Sequence, residues 1–159
     1  LQQGSILELP FGDHSFDGAI VLHVGMNIED KAGMFGEIQR VLRPGARFGV
    51  YDVMRIKAGA LAYPVPWATQ GNTCKLATPD EYRGALKNAG FELIYEADRS
   101  EFAQKFFEKL RAKTAAKGGP PPLSLHTLMQ DSTAAKIKNM IDNIGAGLVS
   151  PIEMIGKKV

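Results

Sequence analysis

Residues 18–24, Gly-Ala-Ile-Val-Leu-His-Val, form a short and nearly unbroken apolar run rich in β-branched side chains. Continuous hydrophobicity, in place of strict alternation, predicts a strand buried on both faces, as in a parallel sheet flanked by helices. From about Asp30 to Leu42 the period changes to 3.6. Met34, Phe35, Ile38, Val41 and Leu42 fall on one stripe, which predicts an amphipathic helix stopped by Pro44-Gly45. Residues 47–53 (RFGVYDV) read as the next strand. Strand, helix and strand with short joints make a right-handed βαβ unit, so the two strands are expected to be parallel and adjacent.

Residues 55–77 carry Gly59, Pro64, Pro66 and Gly71 with little periodicity, a pattern expected of a lid or binding loop. Thr78-Pro79-Asp80-Glu81 then combines an N-cap, proline at the first helical position and a capping-box glutamate. The helix it starts shows Tyr82, Ala85, Leu86 and Ala89 on one face and ends at Gly90. A strand is predicted at 91–97 and a helix at 100–116, with Phe102, Phe106 and Leu110 at four-residue spacing. The breaker cluster at 117–123 (KGGPPPL) is expected to turn into a further helix at 132–144, and a last strand at 149–155 closes the chain.

At 159 residues the chain has the size of one domain with a sizeable core. Its hydrophobic content of 45% and charged content of 23% exclude a disordered or collagen-like chain. No run approaches the roughly 18 apolar residues of a membrane span, and the first residues lack the basic-then-apolar pattern of a signal peptide. No membrane partner is therefore expected. The single cysteine, Cys74, cannot pair within the chain, which points to a reducing, cytoplasmic compartment. A formal charge of +2, without a groove of interleaved basic and aromatic residues, gives no support for nucleic acid as a partner.

Motif chemistry narrows the field first by exclusion. The sequence holds no GxGxxG after a strand, no GxxxxGK[ST] and no GxSxG. Gly145-Ala146-Gly147 lies after a helix and before a strand, the reverse of the phosphate-binding order, and reads as a turn. His14, His23 and His126 stand apart without HExxH or CxxC neighbours, so no metal is expected.

What remains is the block from Gly4 to Asp52. Leu9-Pro10-Phe11, then Ser15-Phe16-Asp17 before one strand, then Arg40 to Gly45 (RVLRPG) before the next, resemble in order and spacing a class I S-adenosylmethionine-dependent methyltransferase of the UbiE/Coq5-like (type 11) family. The later TPDEYRGALKNAGFEL and SPIEMIGKK resemble the following helix and last two strands of that family, and the likeness is weakest between 100 and 145. It implies an α/β, partial Rossmann-like class I methyltransferase fold with a mostly parallel sheet, an antiparallel last strand and no first strands. One partial domain, 1–159, is expected. Residues 1–54 form the end of the cofactor side and the central βαβ unit, 55–77 the lid or substrate loop, and 78–159 the remaining helices and strands.

The resemblance implies S-adenosyl-L-methionine as methyl donor and a small molecule as acceptor. Gly4, Ser5 and Ile6 correspond to the family's adenine contact. Serine stands there where an aspartate is common, an acceptor without charge. Leu22 and His23 correspond to positions beside the methionine part and sulfonium, at the carboxyl end of a strand where open α/β sheets bind ligands. His23 is the candidate catalytic base, against the alternative of a histidine satisfied in or near the core. Met26 and Asn27 lead toward the substrate, or pack a loop. Asp52 orients substrate or makes a structural hydrogen bond. Trp67, in Tyr63-Pro64-Val65-Pro66-Trp67, caps the substrate or forms a satellite core. Asp17 reads as a turn or helix-contact residue, and the basic face of Lys105, Lys109, Arg111 and Lys113 as a solvated surface.

In the family, the glycine loop follows the first strand and the ribose-binding acid ends the second. Neither has a counterpart in this sequence, so cofactor binding by these residues alone is expected to be weak or lost. The alternative function is a fragment or binding module that does not catalyse by itself. A strand edge and apolar face left open would be covered by a homo-oligomer or swapped element.

Overall fold

In the computed structural model, which describes residues 2–116, 119 and 123–159, a four-stranded mixed sheet carries helices on both faces. β1 (Phe16–Leu22) leads through a short turn to α1 (Lys31–Val41) and β2 (Leu42–Arg55). A long loop reaches α2 (Pro79–Asn88) and β3 (Phe91–Asp98). Then come α3 (Ser100–Ala116), α4 (Leu125–Met129), α5 (Thr133–Gly145) and β4 (Val149–Lys158). The spatial order is β1-β2-β4-β3, with β1 parallel to β2 and β4 antiparallel to both of its neighbours. Three strands thus share a direction and the last opposes them.

One face of the sheet is packed by α1 and α2. Phe35, Phe48, Tyr82, Met34 and Met154 are fully buried there, and Phe35 meets Phe48 and Tyr82 edge-on at 5.8 and 5.7 Å. The elements form where their local chemistry says they should. Asp30 caps α1 by accepting the Gly33 N–H at 2.7 Å. Thr78 and Glu81 close the capping box on α2. The carboxyl end of α1 is held from β4, where buried Lys158 Nζ donates to the carbonyls of Gln39 and Leu42 at 2.7 and 2.8 Å, a cation at the negative end of the helix.

The motifs that made the amino-terminal block legible clasp each other. Arg40 pairs in a fork with Glu37 and reaches Asp13 and the carbonyls of Leu9 and Phe11. Arg43 donates to the His14 carbonyl and to Asp17. Glu37 also accepts the Leu9 N–H, and these donors hold its carboxyl down at about 2. Arginine suits this task because its planar fork satisfies a carboxylate and several carbonyls at once.

Three expectations need correction. The run 18–24 is buried on one face only: Val21 is 6% exposed, but Ile20 is 73% and Leu22 59% exposed. Apolar continuity reads as two-sided burial, yet no helix among the described residues covers this side of β1. Second, α1 ends at Val41, before Pro44-Gly45. Arg43 to Ala46 bulge from the ladder, where the register jumps from Phe16 opposite Leu42 to Gly18 opposite Arg47 and Gly45 takes φ +78°. Third, the stretch between the breaker cluster and the helix at 132–144, to which the sequence pattern assigns no element, forms the short helix α4. The turn expected at 117–123 lies mostly outside the described residues. No described helix is long and apolar enough to cross a membrane.

Candidate active site

Asp52 organises the turn that follows β1. It sits near the carboxyl end of β2, fully buried, and its two oxygens are occupied. Oδ1 accepts the Val24 N–H at 2.9 Å, while Oδ2 accepts the Gly25 N–H and the Tyr82 hydroxyl, both at 3.0 Å. Burial pushes the carboxyl up to about 6, against the pull of its three donors and of Lys31. Gly25 is required by this packing, because a Cβ there would stand 2.2 Å from Asp52 Oδ2 and 2.4 Å from the Tyr82 oxygen. Lys31 is likewise buried. Its Nζ donates to the carbonyls of Ile28 and Lys75 and lies 5.6 Å from the centre of the Tyr82 ring, tying the turn to the loop before α2.

The turn presents His23 at the end of β1. Its φ of +55° is uncommon outside glycine, although histidine tolerates it better than most residues. The backbone is fixed by the His23 N–H to the Tyr51 carbonyl at 2.9 Å, and the imidazole lies edge-on to the Tyr51 ring at 5.0 Å. Partial burial lowers the His23 pKa below its ordinary value, so the neutral ring, which can accept a proton, dominates near neutral pH.

Two cavities meet beside His23, at Tyr51 and Phe102. An open groove of about 620 Å³ runs over the uncovered sheet face along Ile20, Leu22, Tyr51 and Ile155, with Phe102 at its edge. The second, of about 550 Å³, shares Tyr51 and Phe102 with the groove and runs beneath α3 and α5. His23, Met26, Asn27 and Tyr51 line one end, Pro66 and Trp67 one wall, and Phe106, Met140 and Ile144 others. Largely apolar lining with a few convergent polar groups is the usual make-up of a small-molecule site. Trp67 is fixed by its Nε1 donating to Cys74 Sγ at 3.2 Å.

The residues expected from the sequence therefore divide. His23, Met26, Asn27 and Trp67 line one cavity and Leu22 lines the adjoining groove. Asp52 lies beneath the turn with its oxygens taken. Gly4, Ser5 and Ile6 lie in a separate turn, outside the lining of both cavities, where the Ser5 hydroxyl accepts the Leu7 N–H at 3.2 Å. Sequence reasoning missed Tyr51, Phe106, Met140 and Ile144 as lining residues, which lie far apart along the chain. For α3 the available signal was the four-residue spacing of Phe102, Phe106 and Leu110, an apolar stripe that the fold leaves partly uncovered. No group of three His, Cys, Asp or Glu is gathered among the described residues.

Comparison with known proteins bears on this arrangement. Residues 1–50 match the family described as a methyltransferase domain. The fold is similar to that of the geranyl diphosphate C-methyltransferase from Streptomyces coelicolor A3(2), solved with Mg2+, geranyl diphosphate and S-adenosyl-L-homocysteine. Its TM-score is 0.73 at 17% identity, covering 99% of this chain and 52% of that one. The chain has the class I methyltransferase fold. By sequence, the chain is 32% identical over 110 residues to the sterol 24-C-methyltransferase erg-4 of Neurospora crassa, covering 62% of this chain and 28% of that protein. It thus spans about a quarter of that relative's length. The methyltransferase fold is also that of the cyclase SpnF, with a TM-score of 0.65 at 22% identity over 99% of this chain and 54% of that one. A cyclase on this architecture means that the fold alone does not fix the reaction.

The residues present fit the donor that this fold family uses. Leu22 lines a groove at the carboxyl end of a parallel strand, and His23 lines the adjoining apolar cavity, which would take an acceptor.

Proposed function

We propose that these residues form the acceptor side of an S-adenosylmethionine-dependent methyltransferase acting on a small molecule. The observation that carries this reading is the junction at Tyr51, beside His23, where the open groove on Leu22 meets the apolar cavity on His23, Met26, Asn27 and Trp67. The methyltransferase-domain match over residues 1–50 supports it, and the motifs at 9–11, 15–17 and 40–45 favour the UbiE/Coq5-like set within the class. Leu22 and His23 would flank the methionine end of the donor, and Gly4, Ser5 and Ile6 its adenine.

When bound, S-adenosylmethionine supplies a methyl group already activated on a sulfonium. The chain's own contribution is then chiefly positioning. The cavity excludes water and aligns the acceptor between Trp67 and Met26, with Asn27 available for a polar group. His23, neutral and steadied by Tyr51, takes the proton that the acceptor sheds. Asp52 acts as a positioning residue, fixing the backbone that carries His23. The lone cysteine is in keeping with a cytoplasmic setting.

Isolated, the 159 residues are proposed to hold the acceptor well and the donor poorly, as a fragment that catalyses little by itself. Calorimetric titration with S-adenosylmethionine should give a dissociation constant weaker than micromolar; micromolar binding would show that the site is whole. A second copy of the chain is proposed to pair along the free edge of β1. Sedimentation should find a dimer, and a monodisperse monomer of the unmodified chain would overturn this.

A further inference from the structure

The loop between β2 and α2, residues 56–78, is fastened on both sides of the acceptor cavity. On the α5 side, Asn143 is 2% exposed and its amide grips the loop backbone. Oδ1 accepts the Ala62 N–H at 2.9 Å, and Nδ2 donates to the Ala62 carbonyl at 3.0 Å. One turn earlier, Asn139 Nδ2 donates to the Pro64 carbonyl at 3.0 Å. On the side of the His23 turn, the Lys75 N–H donates to the Met26 carbonyl at 2.9 Å, and Lys31 Nζ donates to the Lys75 carbonyl at 2.8 Å. Between these anchors the segment is closed on itself. Val65 and Ala68 exchange both backbone hydrogen bonds, at 2.8 and 3.2 Å, and Trp67 is held by Cys74.

The loop is thus a strap, and its Pro66 and Trp67 form one wall of the cavity while Met140 and Ile144 of α5 form another. Asn143 lines neither wall. It joins them, because a primary amide presents a donor and an acceptor side by side and so pairs with the N–H and C=O of one residue, as a neighbouring strand would. Asparagine is a weak helix former, so helix propensity does not account for its place in the last turn of α5.

We propose that Asn143 is a positioning residue for the acceptor: through Ala62 it sets where Trp67 stands against Met140 and Ile144, and so the width of the cavity. Releasing Ala62 frees the strap at this end while Lys75 and Met26 keep the other end in place. Ala62 is exposed, so water replaces its lost partners once the strap moves outward, and the fold survives. Calling the ligand an acceptor rests on the methyl-transfer reading of the same site.

Trp67 is the only tryptophan, so its quenching by acrylamide reports the strap. Energy transfer from Trp67 to N-phenyl-1-naphthylamine, an uncharged apolar probe, reports occupancy of the cavity with no donor present. Asn143→Leu keeps the approximate size of the side chain and makes neither bond. Compared with the parent at the same interval below each melting midpoint, it should leave Trp67 more open to acrylamide. The probe's dissociation constant should weaken by about threefold to tenfold, the cost of ordering a wall that is no longer held. Asn139→Ala removes only the bond to Pro64 and should move both readouts in the same direction by less; it decides the matter if Asn143→Leu does not fold. A folded variant that melts lower yet keeps the parent's quenching and probe affinity would make these asparagines merely stabilising and overturn the proposal. Failure of the parent to bind the probe would overturn it too. Because no donor is present, these outcomes leave the methyl-transfer reading to its own test.

Discussion

Asp52→Ala should cost on the order of 3–5 kcal/mol, enough to unfold much of a domain whose total stability is about 5–15 kcal/mol. The substitution leaves the Val24 and Gly25 N–H groups and the Tyr82 hydroxyl unpaired inside the protein, and burying such groups unmatched is the costly case. Asp52→Asn keeps the shape and should cost less, with a diagnostic dependence on pH. Burial raises the folded-state pKa of Asp52 to about 6, above the unfolded value of about 3.9. Between those values the folded form binds more protons, so this group's stabilising contribution is complete below about 4 and is lost as pH rises through about 6, by roughly 3 kcal/mol. Glu37, held down at about 2, changes stability in the opposite sense and only below its ordinary range. Urea midpoints between pH 4.5 and 7 should therefore fall more steeply for the parent than for Asp52→Asn; parallel curves would remove Asp52 from the account.

The second large effect is expected at His23. In a form of the protein competent for methyl transfer, His23→Asn should lower kcat by about 10²- to 10⁴-fold, the usual contribution of a positioned base, with little change in KM for the acceptor. Asparagine tolerates the positive φ at this position, so the turn and fold should survive. The parent's activity should decline on acidification, because protonating the ring removes the base. Since partial burial lowers this pKa, the decline should centre below the ordinary histidine value of about 6.5. A purely structural histidine would leave the acid limb of the profile unchanged in His23→Asn, and that result would dismiss it as the base.

Both predictions turn on residues whose local setting was only partly legible in the sequence. The capping box at Thr78 and Glu81 and the parallel pairing of β1 with β2 follow from local patterns and survive intact in the structure. The three family motifs were legible because each is constrained physically: Arg40 and Arg43 need the carbonyls and carboxylates of residues 9–17, so these segments must co-occur at fixed spacing. Two-sided burial of β1 was misread because an apolar side chain signals burial whether or not its cover is present. The acceptor site was hidden for another reason. Its walls come from the turn after β1, from β2, from the loop at Pro66-Trp67 and from α3 and α5, and only tertiary packing brings these together. The position of Asp52 suggested either role, and which one applies depends on Tyr82, thirty residues away, and on two backbone N–H groups.

Ultraviolet photolabelling with methyl-tritiated S-adenosylmethionine tests the placement of the donor most directly, and at high concentration it does not require tight binding. Residues 1–31 form a single tryptic peptide, the first arginine or lysine being Lys31, and it contains Gly4, Ser5, Ile6, Leu22, His23 and Met26. Label that concentrates in this peptide and is displaced by excess S-adenosylhomocysteine is the predicted result. Label confined to 100–145, or label that S-adenosylhomocysteine does not displace, would contradict a methyl-donor site beside His23.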